Sequence, residues 1–229
     1  MKKIMLLFCA GTFFTQAIPL VAQTVDAITS TNSMPASYAR PSLSLPIETD
    51  EVWTSLGIGQ GFSRHAQDVG ISLGAGEETR DIGGKVHHDI ALSALHYGHM
   101  LGDRVGADHW YGGNFEIMAE AFGGAQYYRE SRYLFGATAV MRYNLMTGTR
   151  WVPFMDVGIG GALTNIKQPD LGSLGEFNGQ IGPGVMYFWC ENVALTAQYR
   201  YLHMSSGGLS SPNQGVNENI AYLGISWFF

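Results

Sequence analysis

The sequence predicts an all-β chain, an eight-stranded antiparallel transmembrane β-barrel of the outer membrane, and three observations predict it. From Glu51 onward apolar and polar residues alternate in segments of about ten, the length that a tilted membrane strand needs. Thirty Gly, eleven Tyr, twelve Phe and five Trp sit beside only 14% charged residues, while no apolar run past the N-terminal leader approaches helix-spanning length. The connections between segments also alternate short and long, as a barrel with tight periplasmic turns and longer outer loops requires.

Residues 1–22 read as a secretory signal peptide: Met1-Lys2-Lys3 precedes an almost uncharged apolar stretch from Ile4 to Ala22. Thr12, Thr15, Gln16 and Pro19 interrupt that stretch, so it would span a bilayer poorly. Cleavage after Ala17 or Ala22 leaves a small residue at the cut, and Cys9 follows Phe8, which argues against lipid attachment there. Residues 23–50, rich in Ser, Thr, Pro and Ala, form a flexible leader. Residues 51–229 form the barrel. Once the signal is removed, Cys190 is the lone thiol, so no internal disulfide staples the fold. With no base beside it, Cys190 reads as a packing or turn residue.

The first strand has two candidates, Val52–Phe62 and Gln67–Ala75; an even strand count admits one, and the second is preferred for its short hairpin into His88. His88–Leu101, Tyr111–Phe122, Tyr133–Leu145, Trp151–Ala162, Glu176–Phe188, Val193–Ser205 and a last strand closing at Phe229 follow. Thr147–Arg150 and Cys190–Asn192 are tight turns and Gly102–His109 a modest one. Gly123–Arg132, Thr164–Gly175 and Ser206–Val216 are the long loops. Pro183 removes one ladder donor, so a bulge or weakened pairing is expected there.

Side chains alternate across a strand. In Val193–Ser205 the odd positions, with Leu195, Tyr199 and Tyr201, face lipid, and Gln198 and Arg200 face inward. In the last strand Ala221, Leu223, Ile225, Trp227 and Phe229 face out, an aromatic ending of the kind that the outer-membrane assembly machinery recognises. The same rule turns Asn114, Glu116, Glu120, Thr138, Arg142, Asn144, Asp156, Glu176, Asn178 and Gln180 inward, where carboxylates can pair with arginines. The formal charge of -6 comes without a basic cluster, which excludes nucleic acid as a partner. Eight strands leave an interior just wide enough for side chains, which disfavours a pore. His65, His87, His88, His96, His99 and His109 form no convergent ligand set: His87 and His88 point opposite ways on a strand, and His96 and His99 differ in parity. No metal and no cofactor is expected.

With this topology the seventh strand rises and the eighth descends, so His203 and Ser205 sit at the outer-leaflet end and point to lipid. Asn217, at the top of the eighth strand, shares their face and comes close to His203 across the antiparallel pair. The outer leaflet there is built of lipopolysaccharide, whose lipid A carries ester-linked acyl chains at about that depth. A serine hydroxyl needs an adjacent base, an imidazole supplies one, and a third group should orient the imidazole.

The stretch Tyr199-Arg-Tyr-Leu-His203-Met-Ser205-Ser-Gly-Gly-Leu-Ser-Ser-Pro212-Asn213-Gln-Gly215-Val-Asn217 resembles the motif of the PagL family of lipid A 3-O-deacylases: His, any residue, Ser, Asn, then a Pro-Asn-x-Gly loop. Trp151-Val-Pro-Phe-Met-Asp-Val-Gly-Ile-Gly-Gly and Phe177 to Val185 are similar to that family's fifth and sixth strands. The resemblance implies a serine esterase with Ser205 as nucleophile and His203 as general base, acting on lipid A of a Gram-negative-type outer membrane. The chain differs from the founding enzymes in carrying Asn217 where they have a His-orienting Glu, and Ser206 where the family has an oxyanion-donating Asn. Ser206, or the amides of Gly207 and Gly208, would then serve the oxyanion, with Asn213 supporting the loop. The rival reading is a non-catalytic barrel with a structural or adhesion role. Acyl-chain preference and a homodimer are left open.

Overall fold

Period-two alternation puts one apolar face on every segment, and a strand set whose outer face meets lipid can leave no unpaired edge. The computed structural model describes residues 64–79, 85–106, 109–127, 130–167 and 169–229, and it shows that solution. The signal peptide, the 23–50 leader and the candidate strand Val52–Phe62 lie outside the described residues. Eight strands run β1 Gln67–Glu78, β2 Ile90–Met100, β3 Gly113–Gln126, β4 Arg132–Leu145, β5 Trp151–Thr164, β6 Gly175–Cys190, β7 Val193–Ser205 and β8 Val216–Phe228. Each pairs antiparallel with its sequence neighbour, and β1 closes the barrel on β8, from Asp68 opposite Phe228 to Glu78 opposite Glu218. Gln67–Ala75 is therefore the first barrel strand.

Most strands run further at their outer ends than the alternation suggested, while β2 begins at Ile90 rather than His88 and ends at Met100. Gly123–Arg132, expected as a long loop, is half ladder: β3 continues through Gly123 and Gly124 to Gln126 opposite Arg132, leaving a short connection. The reason is steric, because a Cβ at Gly124 would meet the Ala91 carbonyl at 1.9 Å; the glycines permit a close strand approach rather than a turn. β1 likewise extends to Glu78, so the connection to β2 spans Thr79–Asp89 and is no short hairpin. At Pro183 the ladder to β7 skips Gly182 and Pro183 without losing register, while the bulge itself falls between Phe188 and Cys190.

Every inward assignment made from parity is met: Asn114, Glu116, Glu120, Thr138, Arg142, Asn144, Asp156, Glu176, Asn178, Gln180, Gln198 and Arg200 are all buried. The interior is layered rather than uniformly polar. An apolar cluster of Met100, Met146, Val152, Phe154, Met186, Phe188 and Phe228 fills the inner end. A second, with Ile90, Leu92, Phe122, Leu134, Leu202, Met204, Val216 and Ile220, fills the outer half. Between them lies a charged belt. Arg142 makes a two-point contact with Asp156, 2.7 and 2.9 Å, and its guanidinium carbon lies 3.9 Å from the Phe154 ring centre. Arg200 reaches both Glu120 oxygens at 2.6 and 2.8 Å, Gln180 at 3.0 Å and Asp156 at 3.3 Å. Such multiply bonded pairs are what makes buried charge tolerable. The belt gives β3 through β7 one rigid frame, from whose outer end the candidate site projects.

Candidate active site

β7 carries His203 and Ser205 two residues apart, so both side chains leave the same outward face, and β8 places Asn217 directly opposite His203 in the ladder. His203 Nε2 lies 3.0 Å from Ser205 Oγ, and Nδ1 lies 2.7 Å from Asn217 Oδ1. Tyr201, one pleat earlier on β7, donates its hydroxyl to the same Asn217 oxygen at 2.8 Å. That donor fixes the amide with its oxygen toward the imidazole. An amide oxygen only accepts, so Nδ1 carries the proton and Nε2 presents its lone pair to the serine hydroxyl. The order hydroxyl, imidazole, acceptor is the arrangement that activates a serine.

Parity placed Asn217 on the lipid side, and the structure adds that it is fully buried. Tyr201 and His203 flank it, and its backbone carbonyl accepts from Thr79 N at 2.8 Å. His203 and Ser205 remain half exposed, open to a substrate arriving from the membrane side. Gly215 closes the other flank of the ring. It has φ +83°, and a Cβ there would stand 2.9 Å from His203 Cε1, so both backbone and space call for glycine.

The loop residues form a separate set beside these three. Asn213 Oδ1 accepts from Ser206 N at 2.8 Å and from Ser206 Oγ at 2.9 Å, and Ser206 Oγ in turn accepts from Ser210 N at 3.2 Å. The Ser206 side chain is buried and engaged with the loop. Gly207, at φ +64°, turns the chain over Phe177, whose ring would lie 3.4 Å from a Cβ at this position. Tyr201 is the member that sequence reasoning missed. Its signal was present, since it shares outward parity with His203, but its partner on β8 became visible only with the register.

A groove of about 630 Å³ opens on the outer surface next to Ser205. Phe177, opposite Ser205 in the β6–β7 ladder, forms one side, and Phe135, Leu163 and Leu209 continue it. Gly161 and Gly175, which face outward, keep part of its floor free of side chains. Its largely apolar lining suits a hydrocarbon chain.

The outer-membrane enzyme PagL, in its crystal structure, superposes on this chain with a TM-score of 0.53 at 19% identity, covering 68% of this chain and 97% of that one. Neisserial surface protein A gives the same TM-score at 16% identity, over 72% and 99%. These likenesses concern the fold. No curated protein sequence matches the chain significantly. The family described as lipid A 3-O-deacylase (PagL) matches residues 80–226, most of the barrel and the whole of the β7–β8 site. The chain belongs to the PagL family of lipid A 3-O-deacylases.

Proposed function

We propose that the chain is an outer-membrane serine esterase that hydrolyses the 3-O-linked acyl ester of lipid A. The observation that carries this reading is the ordered Ser205–His203–Asn217 chain on the outward barrel face beside an apolar groove. Ser205 Oγ attacks the ester carbonyl carbon as His203 Nε2 takes its proton. The tetrahedral intermediate collapses, the sugar oxygen leaves with the proton from His203, and an acyl-serine remains. Water, deprotonated by the same Nε2, then releases the fatty acid and restores the hydroxyl. The amides of Gly207 and Gly208, just past the nucleophile, are the donors assigned to the oxyanion, since the Ser206 hydroxyl is engaged with Asn213. The groove takes the acyl chain.

The deciding experiment is mass spectrometry of lipid A from a host expressing the intact chain beside Ser205→Ala. Loss of one 3-hydroxyacyl group with the intact chain only supports the esterase and its nucleophile. Unchanged lipid A with both overturns it in favour of a non-catalytic barrel with a structural or adhesion role.

Asn217→Asp tests the orienting group. A carboxylate of equal length would accept from the same Tyr201 hydroxyl and Nδ1–H, and it stabilises the forming imidazolium better than an amide does. A gain of about 1.4 kcal/mol in the transition state corresponds to roughly a tenfold higher kcat. Unchanged or lower kcat in micelle assays would show that the amide is not limiting.

Gly161→Phe tests the groove. Gly161 faces outward, and a Cβ there meets nothing nearer than the Glu176 carbonyl at 3.8 Å, so the ring enters the groove without disturbing the strand. The expected result is roughly a tenfold lower kcat/KM for a long-chain ester, from about 1.4 kcal/mol of lost apolar contact. A short-chain ester should be affected little. Equal losses on both esters would place the acyl chain elsewhere.

A further inference from the structure

The Ser205–His203–Asn217 row has a cavity on each flank, and the apolar groove on the β4–β6 side is one of them. The other, of about 560 Å³, opens on the lipid-facing wall across β7, β8 and β1. Ala75 and Ala221, opposite one another in the β1–β8 ladder, form its floor, with Tyr199 on one side and Tyr127 on the other. Glu77 and Asn219, also a ladder pair, place a carboxylate and an amide at its outer end. Polar and apolar atoms line this cleft in similar measure, unlike the groove beside Phe177.

Its walls are held by neighbours. Tyr199 donates its hydroxyl to Asn219 Oδ1, which leaves the amide hydrogens of Asn219 without a partner among the described residues. On the far side Tyr127 N donates to Asp89 O at 3.0 Å, and the adjacent Gln126 Oε1 lies 3.0 Å from His88 Nδ1. His88 Nε2 in turn lies 2.9 Å from Asp170 Oδ2 in a buried ion pair. Strand parity had set His87 and His88 on opposite faces, but β2 begins only at Ile90, so that rule does not apply to them.

The chemistry of the lining selects the occupant. Glu77 shares its face of β1 with Val69, Ile71 and Leu73, all exposed, and among the described residues no ion pair reaches it. A carboxylate on the lipid-facing wall needs polar company. It repels a phosphate, and no Lys or Arg lines the cleft among the described residues, so an anion finds no counter-charge there. A neutral sugar ring fits each wall: its hydroxyls donate to Glu77 and accept from Asn219, and its C–H face packs on the tyrosine rings and the alanines.

We propose that this cleft binds the uncharged hexosamine ring of an outer-leaflet glycolipid, and that it holds the alcohol side of the ester, a role that rests on the esterase reading. An ester cleaved at Ser205 has two ends. With the acyl chain in the groove on the β6 side, the alcohol leaves toward β8 and β1. Asn219 is the next outward residue after Asn217, about 7 Å along β8, and stands opposite Tyr201 in the ladder.

The test assays the full chain in detergent micelles on a 3-O-acylated N-acylglucosamine and on the methyl ester of the same fatty acid, beside Glu77→Ala and Ala221→Trp. The first removes the charged acceptor, and the second fills the floor from an exposed, outward position. Each is expected to lower kcat/KM on the glucosamine ester about tenfold, mainly through KM, the size of one lost hydrogen bond to a charged group, and to leave the methyl ester unchanged. A loss on the methyl ester as large as on the glucosamine ester, or no loss on the latter, overturns the proposal. Equilibrium binding of the glucosamine ester to the Ser205→Ala chain, with and without the two substitutions, is measured alongside. About tenfold weaker binding is expected with either, and equal binding overturns the proposal whatever the hydrolysis shows. Weakened binding with neither ester hydrolysed by the parent would sink the esterase reading and keep the saccharide site. Should one variant fail to fold, the other decides.

Discussion

Replacing His203 by alanine is expected to lower the deacylation rate by about 10⁴–10⁶-fold, with the apparent affinity for lipid A nearly unchanged. In the proposed mechanism the imidazole acts twice, first taking the Ser205 proton and then returning it to the leaving oxygen, so its loss falls on the transition state rather than on substrate binding. The side chain is half exposed, and Asn217 keeps its Tyr201 partner at 2.8 Å when the imidazole is gone. The fold should therefore survive. Kinetics with purified lipid A in mixed micelles, read as kcat and KM separately, check this. A variant with raised KM and intact kcat would mean that His203 binds the headgroup and that the base lies elsewhere.

The second large effect is on stability. Arg200→Met keeps the volume of the side chain but removes the cation that holds Glu120 through two contacts and Asp156 through a third. Two carboxylates in the belt lose a partner in a place water does not reach, which should destabilise the barrel by about 3–5 kcal/mol. Asp156 retains Arg142, so most of the penalty belongs to Glu120. Adding Glu120→Gln to Arg200→Met should then restore much of the loss, because the pair is removed together instead of being broken. Urea titration of the barrel in micelles measures both. A loss under about 1 kcal/mol for the single variant would show that water enters the belt and screens it.

Most of the barrel was legible in the sequence because the information is local. A side-chain period of two sorts each strand into faces regardless of its partners, so Arg142, Asp156 and Arg200 were turned inward, and His203, Ser205 and Asn217 outward, before any pairing was known. Strand ends were less legible. Gly123 and Gly124 look like a turn in sequence, and only the β2 backbone against Gly124 and the Phe135 ring of β4 against Gly123 show that they serve a tight ladder.

What the sequence by itself determined is thus the fold class, the facing of the side chains and the outward triplet with its family motif; between Val52–Phe62 and Gln67–Ala75 it gave only a preference, which the pairing of β1 with β8 decided. Beyond the expected approach of Asn217 to His203, the tertiary structure alone decided which residues meet across the ladder. Register put Tyr201 on Asn217 and buried that amide. Closure separated the interior into two apolar layers and a charged belt. The loops brought Asp170 to His88 across 82 positions of chain. The physical reason is one of range: alternation is written into neighbouring residues, while contacts between distant ones depend on the stagger with which eight strands close.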